Sequence, residues 1–181
     1  EALLTFSDAA YEFVARHRQP LFPSVPWVYA SVAPAVLNRW PAPPDAIGVT
    51  VEYDFSGTIA QALRWHPAAQ KLVIVTGASS RDRGWEAQLR REAPALAGDR
   101  QLEFWAGLPT ATVLQRLAAL DARSVVFTPG YYIDGDGALS NPHDSVARLA
   151  PASAAPVYGQ LNTFIGTGVV GGRMANFEGI G

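Results

Sequence analysis

The chain has 181 residues, 49% of them hydrophobic and 17% charged, with a net charge of −2 and no cysteine. That balance can fill a core, and it excludes a disulfide framework, a thiolate metal site and a cysteine nucleophile. No basic stripe is present to track a phosphate backbone, so nucleic acid is not an expected partner, and no apolar run reaches the roughly 18 residues that a bilayer requires.

In chain order, Leu3 to Ser7 reads as a short buried strand. Asp8 is a candidate cap for the next helix, which carries Tyr11, Val14 and Ala15 at helical spacing and is expected to end at Pro20 and Pro23. Val25 to Ser31 is the second strand. Residues 33–46 hold Pro34, Pro41, Pro43 and Pro44 and read as an irregular connector and a boundary between lobes. Ile47 to Tyr53 is a strand or extended crossing. Asp54 or Ser56 caps a helix with Ile59, Ala62, Leu63 and His66 on one side, stopped by Pro67. Lys71 to Thr76 is the strongest strand, and Ser79 or Ser80 caps a helix bearing Trp85, Leu89 and Ala93. Gln101 to Trp105 is a strand, followed by a helix capped by Thr110 with Val113, Leu114, Leu117 and Leu120. Val125 to Thr128 is a strand that leads into the polar loop Ile133 to Gly137. Pro142 opens a helix with Val146 and Leu149. Pro156 to Tyr158 is a short strand, and Val169 to Met174 is expected to form another.

Continuous apolar runs separated by helical patterns indicate an α/β fold, with parallel sheets flanked by helices and strands buried on both faces. Such sheets bind ligands beyond the carboxyl ends of their strands. The candidate site residues are therefore at the strand tips: Ser7 and Asp8, Tyr29 and Ser31, Thr76 and Gly77, and the adjacent pair Tyr131 and Tyr132. A tyrosine combines an apolar ring with a polar handle, which suits a small-molecule cleft.

Other motifs carry less. Gly166-Thr167-Gly168-Val169-Val170-Gly171 matches G-x-G-x-x-G, but the dinucleotide loop needs a helix directly after it and no helical pattern follows. A turn leading into a strand is the expected structure. Asp134-Gly135-Asp136-Gly137 is similar to the start of a calcium loop, yet Ser145 stands at the twelfth position, where a glutamate is needed. A surface turn is expected. Ser56, Ser79, Ser80 and Ser140 lack a nucleophile-elbow motif, and capping explains them. His17, His66 and His143 have no metal-ligand spacing.

Several segments occur together in a familiar order. Leu3-Leu4-Thr5-Phe6-Ser7-Asp8-Ala9-Ala10 is followed by Phe13, by Arg16-His17-Arg18 and by Leu21-Phe22-Pro23-Ser24-Val25-Pro26-Trp27-Val28-Tyr29. Ala62-Leu63-Arg64-Trp65-His66-Pro67, Pro156-Val157-Tyr158-Gly159 and Gly168-Val169-Val170-Gly171-Gly172 come later. Together they resemble the ABC-transporter substrate-binding-like domains that serve as extracytoplasmic sensor regions of bacterial histidine kinases. The resemblance implies a type 1 periplasmic-binding fold, in which two α/β lobes joined by a hinge hold a ligand between them. It implies that residues 1–46 are the remaining part of an incomplete first lobe, 47–168 the second lobe and 169–181 a return crossing. It adds Gln160 and Asn162 to the ligand-binding residues.

The implied function is a periplasmic, non-enzymatic sensor for a small solute, aromatic or neutral, with no cofactor and no metal. Membrane contact is expected only through segments outside these residues. The alternative is a free-standing solute-binding protein of an ABC importer, and a third reading is a Rossmann-like enzyme. An incomplete first lobe is also expected to leave apolar surface uncovered and to pair with another chain as a homodimer.

Overall fold

The computed structural model describes residues 1–174. They form two compact units, the first running from Glu1 to Tyr53 and the second beginning at Asp54. The α/β class and the parallel, helix-flanked sheets expected from the sequence are what the chain forms.

The first unit alternates β1 (Leu3–Phe6), α1 (Asp8–Leu21), β2 (Trp27–Val32), α2 (Pro34–Arg39) and β3 (Ala46–Thr50). The strands are parallel in the order β1-β2-β3. Both crossovers step in the same direction, and right-handed crossovers then put both helices on one face. That face holds the core: Tyr11 and Val14 of α1, Trp27, Tyr29 and Val32 of β2, and Val36 of α2. The Tyr11 ring stacks on Trp27 at 4.6 Å, and its hydroxyl donates to the Trp40 carbonyl at 2.8 Å. Trp27 Nε1 donates to Thr5 Oγ1 at 2.9 Å. Arg18, also buried, donates to Asp45 at 2.9 Å and to the Val25 carbonyl at 2.6 Å, fixing the end of α1 to the entry of β3.

Three local expectations change here. Pro20 lies inside α1, which runs on to Leu21. A proline in the last turn removes only the bond to the carbonyl four residues back, and that carbonyl belongs to exposed Arg16. The proline-rich connector contains α2, because Pro34 occupies the first helical position, where its missing N–H costs nothing. The lobe boundary expected after Ala46 is displaced as well: Ile47 to Thr50 pair with β2, so the first unit extends to Tyr53.

The second unit comprises α3 (Phe55–Trp65), β4 (Lys71–Thr76), α4 (Ser80–Ala97), β5 (Gln101–Ala106), α5 (Thr110–Ala118), β6 (Ser124–Gly130), α6 (Pro142–Ala152) and β7 (Val157–Gly159). Its four strands are parallel in the order β5-β4-β6-β7. The step from β4 to β5 goes one way, and the steps to β6 and β7 go the other. Right-handed crossovers therefore place α4 on one face and α5 and α6 on the opposite one. Helix α3 packs beside α4, and α5 packs beside α6. With both faces covered, every residue of β6 and all but the first of β4 are buried.

After β7 the chain makes a single 3-10 turn, Asn162–Phe164. The strand expected from Val169 to Met174 is reduced to one bridge between Gly171 and Tyr158, with Gly159 N–H donating to the Gly171 carbonyl at 3.0 Å. A side chain at Gly172 would put a Cβ 1.8 Å from the Gly159 carbonyl oxygen, so the approach requires glycine. Arg173 then binds back onto α3, its N–H on Thr58 Oγ1 at 2.9 Å and its guanidinium on Asp54 at 2.9 Å. The proposed return crossing thus stays with the second unit through Arg173, and its remainder lies outside the described residues.

Ile74 of β4 is fully buried, whereas Leu139 is 81% exposed. Ile74→Ala is expected to cost about 2–5 kcal/mol and Leu139→Ala no more than about 0.5 kcal/mol. Urea unfolding midpoints at constant slope will check the contrast.

Candidate functional site

Strand order reverses between β4 and β6, and open α/β sheets bind ligands at the carboxyl ends beside such a reversal. Thr76 and Gly77 leave β4 on one side of it, and Tyr131 and Tyr132 leave β6 on the other.

Gly77 has no room for a side chain: a Cβ would lie 2.5 Å from both Asp82 Oδ2 and the Ile133 carbonyl oxygen. The tight turn brings α4 directly under the tip of β4. Ser79 caps α4 by accepting from Asp82 N–H at 3.1 Å, and Asp82 Oδ2 accepts from Ser79 N–H at 2.9 Å. This reciprocal cap answers two of the helix's free N–H groups. Asp82 is fully buried and also takes the Tyr132 N–H, at 3.3 Å, so one carboxylate joins the first turn of α4 to the segment leaving β6.

The two tyrosines have different surroundings. Tyr131 is buried; its hydroxyl donates to the Leu108 carbonyl and its carbonyl accepts from Ser145 Oγ at 2.7 Å. Burial pushes its hydroxyl pKa above the ordinary value. Tyr132 is half-buried beside Trp85, ring centres 5.8 Å apart, and accepts from the Arg81 guanidinium at 3.1 Å. The Arg81 guanidinium lies 5.3 Å from the Tyr132 ring centre and 5.9 Å from that of Trp85. Arg81 and Trp85 are four residues apart on α4, one turn along the same face.

Gln160 is fully buried at the end of β7, with Nε2 donating to the Pro129 carbonyl at 2.8 Å. Its Oε1 has no hydrogen-bond partner, nor do the buried Thr76 Oγ1 and Asn162 Oδ1. Buried polar atoms are nearly always paired, and these three oxygens are exceptions among the described residues, as are Arg18 Nε, Trp40 Nε1 and Gln61 Nε2.

A cleft of about 230 Å³ opens beside the loop after β6, lined by Thr110, Tyr131, Asp134, Ser140, Ser145 and Arg148 among others. Asp134 organises that loop. Its carboxylate accepts from Thr110 Oγ1 at 2.8 Å and from the N–H groups of Asp136 and Ala138 at 2.9 Å each. The Thr110 hydroxyl and those amides hold its carboxyl below the usual carboxylate range. Among the described residues no group of three or more His, Asp or Glu side chains is placed to hold a metal ion. Among the described residues no helix follows Gly171, so the glycine motif lacks the context of a dinucleotide loop there.

In the first unit, Ser7 and Ser31 stand at the carboxyl ends of β1 and β2. Both have left-handed backbone, φ +90° and +58°, and Ser31 forms the bulge between Ala30 and Val32. Asp8 is the first residue of α1 and not its cap; its Oδ1 instead accepts from Ala33 N–H at 2.8 Å, ahead of α2. Tyr29 does not reach a strand tip. It lies mid-strand opposite Thr5, with its ring in the helix-facing core 5.1 Å from that of Tyr11.

Sequence reasoning passed over Arg81 and Asp82 and read Trp85 only as a core position. The spacing Ser79-x-x-Asp82 is a capping-box signature, and it carried the missing signal.

No protein-family model matches the chain, and no curated protein does. Solved structures do. One is the ABC domain from Streptococcus pneumonia in complex with L-Trp, with TM-score 0.56 and 14% identity, covering 91% of this chain and 56% of that one. The fold is that of ABC-type solute-binding proteins. A second is the solute-binding protein of an ABC transporter from Rhodopseudomonas palustris BisB5 in complex with 3,4-dihydroxybenzoic acid, with TM-score 0.51 and 14% identity, covering 90% and 44%. The chain spans about half the length of each.

Two measurements test the local chemistry. Because the Asp134 carboxyl is depressed in the fold, the stability it provides is complete above the unfolded value of about 3.9 and is lost as pH falls through the lower folded value. Asp134→Asn should flatten that acid limb in urea unfolding between about pH 5 and 2. Ser31→Gly should relieve the left-handed backbone and raise stability by about 1 kcal/mol in the same assay.

Proposed function

We propose that the chain is the extracytoplasmic sensor domain of a signal-transduction histidine kinase, and that it binds a small solute at the carboxyl ends of its strands. The observation that carries the binding site is the reversal of strand order at β4 and β6, with Thr76 beside it and unpaired buried oxygens on Thr76, Gln160 and Asn162. A buried polar atom without a partner costs about 1–3 kcal/mol. These oxygens are sealed from solvent, so a solute that offers them donors has to open the strand ends first and recovers that cost once bound.

Trp85, Tyr132 and Arg81 add ring faces and a positive charge. That set suits a planar, aromatic solute, and a carboxylate on it would meet the guanidinium. The two solved neighbours are complexes with L-Trp and with 3,4-dihydroxybenzoic acid, which supports the aromatic class. In the first unit, taken by itself, Ser7, Asp8 and Ser31 at the carboxyl ends of β1 and β2 are also proposed as solute-binding residues. We read the domain as a periplasmic binder and not an enzyme.

The kinase assignment is supported by the order of the sequence segments from Leu3 to Gly172. The alternative, a component of an ABC importer, draws on the second neighbour, itself the solute-binding protein of an ABC transporter. The coding sequence on either side separates them: kinase modules support the sensor, and an importer operon without them supports the alternative.

Isothermal calorimetry of the chain against L-tryptophan, 3,4-dihydroxybenzoate and neutral aromatic amides is expected to show saturable, reversible binding. Tyr132→Ala should weaken it roughly two- to tenfold, as loss of an aromatic pair predicts. Turnover of the solute, or binding indifferent to Tyr132, Arg81 and Gln160 alike, would contradict the reading.

A further inference from the structure

The helices of the first unit cover one face of its sheet, and among the described residues of that unit none covers the other. Leu4 and Phe6 of β1, Val28 and Ala30 of β2, and Ile47 and Val49 of β3 share that face in register. Leu4 stands beside Val28 and Val28 beside Ile47; Phe6 stands beside Ala30 and Ala30 beside Val49. On the outer strands the exposure is 71% for Leu4, 61% for Phe6, 69% for Ile47 and 43% for Val49. None of the six carries a charge. Parallel sheets are rarely left with a face in water, because their strands are apolar on both sides.

The area indicates the kind of occupant. The patch is on the order of 500 Å², the upper end of what monomers leave uncovered. Two such patches together bury roughly 1,000 Å², the lower bound for a specific interface. Apolar and uncharged, the surface can pair with a copy of itself. A two-fold axis between the faces would set β2 over β2 of the other copy with no like charges opposed.

We propose that this face is where a second copy of the chain docks, sheet against sheet, about 10 Å apart. Phe6 and Ile47, at opposite edges of the face, are its largest anchors. The inference stands apart from the solute-binding reading, since none of its six residues is among those proposed to bind solute.

Sedimentation equilibrium from low micromolar to several hundred micromolar should show a monomer–dimer equilibrium. Phe6→Glu and, separately, Ile47→Lys should each weaken it at least tenfold. Both residues are exposed, and unchanged circular dichroism will confirm the fold. Because the chain lacks cysteine, Val28→Cys supplies a single reporter. Packed sheets stand farther apart than the ~7 Å a disulfide tolerates, so a short bismaleimide is the probe. It should yield a covalent dimer that disappears when Phe6→Glu is added. A monomer at every concentration would overturn the proposal. So would a dimer that survives both substitutions, because the contact would then lie on another face.

Discussion

The handedness of strand–helix–strand crossovers is the constraint on which the rest of this molecule depends. A right-handed crossover commits each helix to a face as soon as the direction of the next strand is chosen. In the first unit the direction never changes, so α1 and α2 share a face and the opposite one carries Leu4, Phe6, Ile47 and Val49 into solvent. In the second unit the direction reverses after β5, so helices cover both faces, and β6 and all of β4 beyond Lys71 become internal. The same reversal parts the chain segments that leave β4 and β6, and the polar groups gather there. A bare face and the proposed ligand site are opposite results of one rule.

Polar groups at this edge are distributed unevenly. Asp134 and Asp82 are saturated by amides and hydroxyls, and they build the loops. Thr76, Gln160 and Asn162 each keep an unanswered oxygen. Loop framework and proposed binding residues thus differ in whether their hydrogen bonds are complete. In the first unit Ser7 and Ser31 hold conformations that L-residues avoid, at the ends of adjacent strands.

Much of this was legible in the sequence because buried parallel strands are written as unbroken apolar runs. Lys71 to Thr76 is the clearest, and its flanking helices announce themselves through Asp54 and Ser79, which do cap α3 and α4. What escaped was set by tertiary pairing. Pro34 reads as a break until it is seen at a first helical turn. Ile47 to Thr50 carries no mark of which sheet it joins, and register with β2 decides that. Tyr29 alternates into the core because strand parity, and not its place in the run, fixes its direction. Tyr131 and Tyr132 were visible as a pair, but which ring turns inward depends on Leu108 and Arg81, both distant in sequence.

The Asp82 carboxylate has a mechanical consequence. It binds the opening turn of α4 and the amide of Tyr132 at once, with Gly77 leaving no slack beside it. A tug on the Tyr132 backbone is therefore delivered to an 18-residue rod, whose far end lies about 27 Å away at 1.5 Å per residue. A small displacement at the rim thereby acquires a stiff lever reaching the opposite end of the sheet.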